Sequence, residues 1–374
     1  MLRLLSVSLV IIGVLVTADA QDSIIYPERI SLLFAGDIMG HDEQIKSAEN
    51  PADHTYDYDR VFRFIKPIIS EADVAIGNFE VTLAGPPYKG YPRFSSPASL
   101  AAGCKNAGFD CLVTANNHAA DRGNAGISGT IYRLDSIGMP HTGTFMSPED
   151  KDSLYPMIIH KGDIEIALLN YTYGLNGLKV PGPGIVNILD KNLIISDIEK
   201  ARQNNPDLVI LFVHWGTEYD TIPSESQAEL ASDFFAHGAD MIIGSHPHVM
   251  QKMMWFKKDS ADKDRIVVYS LGNFISNQRK PKTDGGVMVR IELIRDGDSV
   301  VVSNAGYYLT WVYTPIGKDG KKFYILPCSE YENKPEFFPN PAHYQQMKRF
   351  INDSRALLNA QNFNMSEIIY PWKP

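Results

Sequence analysis

Cysteine is scarce in this chain: Cys104, Cys111 and Cys328 are the only three in 374 residues. So few, and an odd number, exclude a disulfide framework and a Cys-rich metal site. Three buried free thiols are expected, although a Cys104–Cys111 bridge across a helix-to-strand turn is sterically conceivable. A basic excess is missing too, since the formal net charge is −9; that argues against a general nucleic-acid binder. The acidity does not by itself identify a partner. No internal repeat or low-complexity segment is present, and beyond residue 20 no apolar run approaches the roughly 20 residues that cross a bilayer. What remains is an ordinary globular composition, 44% apolar and 21% charged, in a chain long enough to bury a sizeable core.

The first twenty residues stand apart. Arg3 precedes an apolar run over residues 4–16, broken only by Ser6, Ser8 and Gly13. Ala18-Asp19-Ala20 then places small residues at the −3 and −1 positions before Gln21. This is the pattern of a secretory signal peptide cleaved near Ala20. A signal anchor would need a longer run, and no Cys follows to take a lipid. The mature protein is therefore expected outside the cytoplasm, periplasmic or secreted.

From residue 30 onward, apolar strands alternate with helical stretches. Strands are predicted over residues 30–35, 74–76, 110–114, 164–169, 208–213, 241–243, 266–271, 287–293 and 300–312. Helical spacing occupies residues 58–69, 100–107, 127–137, 193–201, 228–236 and 344–358. Long apolar strands bracketed by helices imply an α/β fold with a sheet covered on its faces. Fewer helices separate the last strands, which suggests that these form a second sheet packed on the first. Glycines and prolines over residues 174–187 mark a loop. The organisation expected is a leader at 1–20, a main domain at 30–275, and strands and a helix at 276–374 that complete or extend it.

Polar residues gather where predicted strands end. Five strand ends deliver Asp37, Asn78 with Glu80, Asn117 with His118, His214, and His246 with His248. The carboxyl edge of an α/β sheet is where ligands bind, and oxygen and imidazole donors suit Zn, Mn or Fe. Singly, each has a plainer reading: an Asp after a strand often caps a helix, Asn pairs form turns, and a lone His after an apolar strand is usually a core residue. Jointly they read as a metal centre. His246-Pro247-His248 is the most specific local signal, because two imidazoles two residues apart can address two ions or two sides of one. His54, His141, His160, His237 and His343 lack such a neighbourhood and are read as surface or packing residues. His41 lies four residues beyond Asp37 and is also placed outside the set.

The order of these motifs resembles the CapA family of poly-γ-glutamate capsule biosynthesis, similar in turn to the calcineurin-like metallophosphatases. The motifs are Gly36-Asp37, Gly77-Asn78-Phe79-Glu80, Asn116-Asn117-His118, Val213-His214-Trp215-Gly216 and Gly244-Ser245-His246-Pro247-His248. Asp121-Arg122-Gly123, the stretch Arg93-Phe94-Ser95-Ser96-Pro97 and the run Ser270-Leu271-Gly272-Asn273-Phe274 add family-like context. The resemblance covers roughly residues 30–275. It implies an α/β/β/α sandwich, two sheets flanked by helices, with two divalent ions (Mn, Zn or Fe) at one edge. Asp37 and His248 would hold the first ion, and Asn117, His214 and His246 the second. Glu80 or Asn78 would bridge or complete the pair. His118 would act as an acid or charge stabiliser without binding metal, with Asp121 orienting it. Two departures from metallophosphatases stand out: Met39 replaces the His of their Asp-x-His, and Asn78 replaces their bridging Asp.

What the resemblance implies for activity is a metal-dependent hydrolase acting on a phosphoester or on an amide bond of a glutamyl polymer. The alternative is a non-catalytic component that binds or exports the polymer. The partners implied are an anionic polymer or phosphoester and capsule-assembly proteins at the membrane, with no nucleic acid. Arg93, Arg122 and Lys89 are candidate basic contacts for such a substrate.

Overall fold

The computed structural model describes residues 28–180, 182–257, 263–318 and 320–370. The leader read from the sequence lies outside the described residues, as does Pro181 of the 174–187 loop. In chain order the principal strands are β1 (Arg29–Ile38), β2 (Val74–Phe79), β3 (Cys111–Val113), β4 (His141–Thr142), β5 (Met157–Lys161), β6 (Ile164–Thr172), β7 (Leu208–His214), β8 (Met241–Ser245), β9 (Met253–Phe256), β10 (Arg265–Val268), β11 (Asn273–Ile275), β12 (Gly285–Asp296), β13 (Ser299–Tyr313) and β14 (Tyr324–Pro327). The longer helices are α1 (Ser99–Ala107), α2 (Gly123–Ser136), α3 (Lys191–Gln203), α4 (Glu225–Ala236) and α5 (Pro341–Gln361).

Two sheets result. The first runs β14–β13–β12–β1–β2–β3–β4, with β11 also beside β1. The second runs β9–β10–β8–β7–β6–β5. Alternation along each strand explains the layering, because successive side chains point to opposite faces. In β1, Ile30, Leu32 and Phe34 enter a core shared with Ile166, Leu168, Ile210 and Phe212 of the second sheet. Leu33 and Ala35 point the other way, into a cluster with Leu100, Ala101 and Cys104 of α1 and Leu134 of α2. In β7, Val209, Leu211 and Val213 face outward onto Ile194, Ile198 and Ala201 of α3 and Ala231 and Phe234 of α4. The order of layers is helix, sheet, sheet, helix, the α/β sandwich expected. Helix α5 adds Met347, Phe350, Ile351 and Leu358 to the inter-sheet core.

One expectation is corrected. The last strands do not build the second sheet. That sheet comes from residues between Met157 and Val268, whereas β12, β13 and β14 extend the first sheet beyond β1 in antiparallel order. A scarcity of helices signals local antiparallel pairing but is silent on which sheet the hairpin joins. The physical reason lies in β1: β2 pairs with only one of its edges, and the backbone groups of the other, buried, need partners. The long hairpin of β12 and β13 has the length to supply them. The helical stretch expected over residues 58–69 is also divided, into Asp59–Phe62 and Lys66–Ser70. Pro67, which lacks a backbone N–H, sits in the first turn of the second piece, where that loss is tolerated.

Helix ends carry the chemistry that stops them fraying. Asp190 accepts from the Leu193 N–H at the start of α3, and Ser224 with Gln227 forms a capping box on α4. Gly108 closes α1 with φ +108°, a conformation open to glycine. The three cysteines are free and buried. Among the described residues no helix is long and apolar enough to cross a membrane.

Candidate metal centre

Parallel pairing brings the motif-bearing strand ends side by side. Asp37 of β1 is in register with Asn78 of β2, and Ser245 of β8 with His214 of β7. Both sheets deliver their carboxyl ends to the same edge. Two glycines make the approach possible. A Cβ on Gly36 would stand 2.0 Å from the Gly272 carbonyl oxygen, and one on Gly244 would stand 2.1 Å from that of Tyr269. Either contact is closer than real atoms tolerate, so the strands meet only because these side chains are absent. His246 and His248 flank Pro247 with φ of +103° and +59°. Residues with a Cβ rarely adopt this region, and each such position costs on the order of 1–3 kcal/mol, strain that tends to collect where a side chain must be aimed.

Asp37, Asn78, Glu80, Asn117, His118, Asp121, His214, His246 and His248 are each at most 3% exposed. Seven of them form a contiguous network. Asn78 Nδ2 donates to Asp37 Oδ1 at 2.8 Å and lies 3.5 Å from Glu80 Oε2. His248 Nδ1 is 2.9 Å from Asp37 Oδ2, with its Nε2 4.0 Å from Glu80 Oε1. His214 Nε2 lies 2.9 Å from Asn117 Oδ1 and 3.6 Å from Glu80 Oε1. Its Nδ1 is held by Ser245 Oγ at 3.0 Å. The His246 ring is 4.8 Å from that of His214, centroid to centroid.

Two groups of donors have the compactness that a cation requires: Glu80 with His214 and His246, and Asp37 with Glu80 and His248. Glu80 belongs to both. Within each group the donor atoms lie within 4.8 Å of one another, somewhat wider than the roughly 3–3.4 Å between donors that each sit ~2.1 Å from one ion. Three atoms decide the fit. Glu80 Oε1, Asn78 Oδ1 and His246 Nδ1 are buried without a hydrogen-bond partner. Such orphans are costly, and all three are good ligands for a divalent cation. Burial, followed by the nearby Asp37 carboxylate, holds the Glu80 carboxyl well above its usual range. Burial also draws His246 down to about 3 and His214 well below its ordinary value, each helped by neighbouring imidazoles. Both rings are thus neutral near pH 7, the form that binds metal. The residues present fit a metal centre.

His118 and Asp121 form a separate pair. His118 Nδ1 is 2.8 Å from Asp121 Oδ2, which also accepts the Phe94 N–H at 2.7 Å. The edge of Phe94 packs on the His118 ring at 4.7 Å. Asn116 shapes the turn beneath, donating to the Phe79 carbonyl and accepting the His118 N–H. His118 is in neither donor group, yet it is close enough to His214 and His246 to lower their basicity.

A model of the family described as bacterial capsule synthesis protein PGA_cap matches residues 31–278. The chain belongs to this family. It is 30% identical over 287 residues to the capsule biosynthesis protein CapA of Bacillus anthracis, a match covering 73% of this chain and 66% of that protein, just under two thirds. It is 29% identical over 283 residues to the PGA biosynthesis protein CapA of Bacillus subtilis (strain 168), covering 72% of this chain and 69% of that one. Among solved structures, the calcineurin-like phosphoesterase YfkN of Bacillus subtilis aligns with 87% of this chain and 100% of its own, at TM-score 0.45 and 12% identity. A 5'-nucleotidase of Candida albicans SC5314 aligns with 88% of this chain and 58% of its own, at TM-score 0.37 and 9% identity. Both scores lie below 0.5.

All nine sequence-predicted residues lie within the family match. Met39, in place of an imidazole, is buried in the outer core beneath the first sheet. His41 is in neither donor group; its Nδ1 faces Gln44 Oε1 at 3.0 Å and its ring packs edge-on to Phe94 at 5.4 Å. His54, His141 and His160 pair with surface acids. Of the three basic candidates, Lys89 pairs with Asp42 at 3.0 Å, Arg93 is exposed and Arg122 is half-buried. Sequence reasoning gave Ser245 and Phe94 no role beyond motif context and missed Tyr173, whose ring lies 4.5 Å from His246. Ser245 sits inside the Gly-Ser-His-Pro-His motif, so adjacency was the available signal. Tyr173 follows directly on β6, which runs three residues past its expected end.

Proposed function

We propose that this chain is an exported, metal-dependent hydrolase that acts in building an anionic capsule polymer, cutting a phosphoester or a γ-glutamyl amide bond. The observation that carries the reading is Glu80, shared by two buried donor groups, with the His118–Asp121 pair beside but outside them. Asp37, Glu80, His248 and the Asn78 carbonyl would hold one ion; Glu80, Asn117, His214 and His246 would hold the other. Bound there, two divalent cations (Mn, Zn or Fe) would supply an activated water and neutralise charge developing on the scissile group. The chain's own residues supply the rest. Asp121 fixes the proton of His118 on Nδ1, leaving Nε2 to exchange a proton with the leaving oxygen or nitrogen. Asn176 Oδ1 accepts from Asn117 Nδ2 at 3.2 Å, which turns the Asn117 carbonyl toward the site. Membership of the family and the capsule biosynthesis of its Bacillus relatives support the capsule setting.

A second reading is a non-catalytic component that binds or exports the polymer. Met39 favours it, because the first ion would lose an imidazole that hydrolytic centres of this kind use.

The test is hydrolysis of phosphoester and γ-glutamyl peptide substrates by the purified protein loaded with Mn, Zn or Fe. Metal-dependent turnover of either class is expected. Bound metal with no turnover of any substrate would overturn the hydrolase reading in favour of the binding role.

A further inference from the structure

The chain is acidic overall, yet one cleft is not. Arg279, Lys280, Lys282, Lys321 and Arg349 line a cleft of about 580 Å³ between the loop after β11, the end of β13 and helix α5. Two carboxylates, Asp284 and Asp353, also line it, so cations outnumber them more than two to one. Asp284 accepts from Trp311 Nε1 at 2.8 Å and offsets part of the charge of Arg279 and Arg349. The Arg279 guanidinium spends two N–H groups on the Val312 and Ser276 carbonyls. Among the described residues no carboxylate lies within 4 Å of Lys280, Lys282 or Arg349. A net excess of cations gathered on one concave wall of an acidic protein focuses field and attracts anions.

The cleft is physically joined to the metal centre. Lys280 Nζ stands 3.9 Å over the Tyr219 ring, and that ring is 6.2 Å from His248. Asn273, in register with Asp37, donates through Nδ2 to Gln278 Oε1 at 2.9 Å and to the Thr283 carbonyl at 2.8 Å. The loop that carries three of the cations is therefore pinned, near both of its ends, to a neighbour of a candidate ligand. All five cations lie beyond residue 278, where the match to the family model stops.

We propose that this basic cleft binds an extended polyanion and leads it toward the metal centre. One phosphate or carboxylate would not occupy five cations spread along a cleft; a chain bearing repeated negative groups would. Lysines, as flexible point charges, suit a polymer that slides rather than one held in a single register. The proposal rests on the hydrolase reading only for the direction in which the polymer is led.

The experiment is fluorescence anisotropy of the full chain with labelled oligoglutamate and, separately, labelled oligophosphate across a range of salt. Binding of one or both is expected, weakening as salt rises, and the arms distinguish a carboxylate from a phosphate polymer. The paired variant Lys280→Glu/Arg349→Glu should bind about fivefold more weakly, a change of ~1 kcal/mol. The milder Lys280→Ala/Arg349→Ala pair guards against misfolding, checked by an unchanged unfolding midpoint. Lys200→Glu, a single reversal on the exposed side of α3 and remote from the cleft, should leave affinity unchanged. Equal losses in Lys200→Glu and the cleft variants, or no binding of either oligomer, would overturn the proposal. If turnover is absent but cleft variants lose binding selectively, the hydrolase reading fails and the cleft stands; if turnover occurs with binding indifferent to the cleft charges, the reverse holds.

Discussion

The His248 ring touches Asp37 through Nδ1 at 2.9 Å, although 211 positions separate them in the chain. The contact fixes the tautomer of His248 and turns its Nε2 toward Glu80. A carboxylate behind an imidazole both orients the ring and raises its basicity toward a metal. Asp37→Asn removes both a candidate ligand and the group that orients His248, so it should retain the fold but weaken affinity for Zn or Mn by at least about 10-fold. Isothermal titration calorimetry with the metal alone measures it, and unchanged affinity would remove Asp37 from the centre.

Glu80 and His246 should differ in how much metal their loss removes. Glu80 sits in both donor groups, so Glu80→Ala is expected to abolish stoichiometric binding. His246→Ala, confined to one group, should lower the metal content while leaving part of it bound. Elemental analysis after reconstitution reads the two directly; equal content in both variants would contradict a shared Glu80.

His118→Ala should lower kcat about 10²–10⁴-fold, the range for a lost proton donor, with metal content intact. Asp121→Asn should move activity in the same direction by freeing the tautomer. Loss of metal from His118→Ala would instead make His118 a ligand.

Gly36→Ala tests the packing that brings the two halves of the site together. Its new Cβ would meet the Gly272 carbonyl, which belongs to backbone and cannot swing aside. A loss of more than ~2 kcal/mol of stability is expected, the scale of an overpacked core. Chemical denaturation of the variant gives the value; a midpoint matching the parent would refute the contact.

Acid should loosen the carboxyl-terminal helix. Arg355 on α5 binds Glu332 at 2.7 Å and Glu367 at 2.6 Å. Hydrogen bonds from Arg355 hold the Glu332 carboxyl below its ordinary value of 4.5. A carboxylate lowered on folding stabilises the native state above the unfolded value and loses that contribution as pH falls through the folded one. Stability should drop by about 0.5–1 kcal/mol from this pair as pH falls below 4.5, and Glu332→Gln should flatten that part of the profile. Thermal unfolding across pH follows it.

The α/β class and the cluster were legible in the strand pattern, and the two-sheet sandwich in the family resemblance: five apolar strands each end abruptly on polar residues, a coincidence that caps and turns explain singly but not jointly. Asp37, His214 and His246 each showed that break. The placement of β12 to β14 was hidden because a hairpin announces its own pairing and not the strand it will join. The roles of Ser245 and Phe94, residues within the motifs, were hidden for a different cause. A hydroxyl behind an imidazole, or a phenyl edge against one, leaves no period in the chain. The basic cleft was equally invisible, since Arg279 and Arg349 are 70 positions apart in sequence and meet only because α5 folds back over the sheet.

The loop between β11 and β12 is hung from Asn273 by two bonds, one of them to backbone, while Arg279, Lys280 and Lys282 line the cleft. The candidate ligands and the cations proposed to meet the polymer thus lie on separate stretches of chain. A descendant of this protein could exchange residues 279–282 for neutral or acidic ones and meet a different polymer, with every candidate ligand left in place.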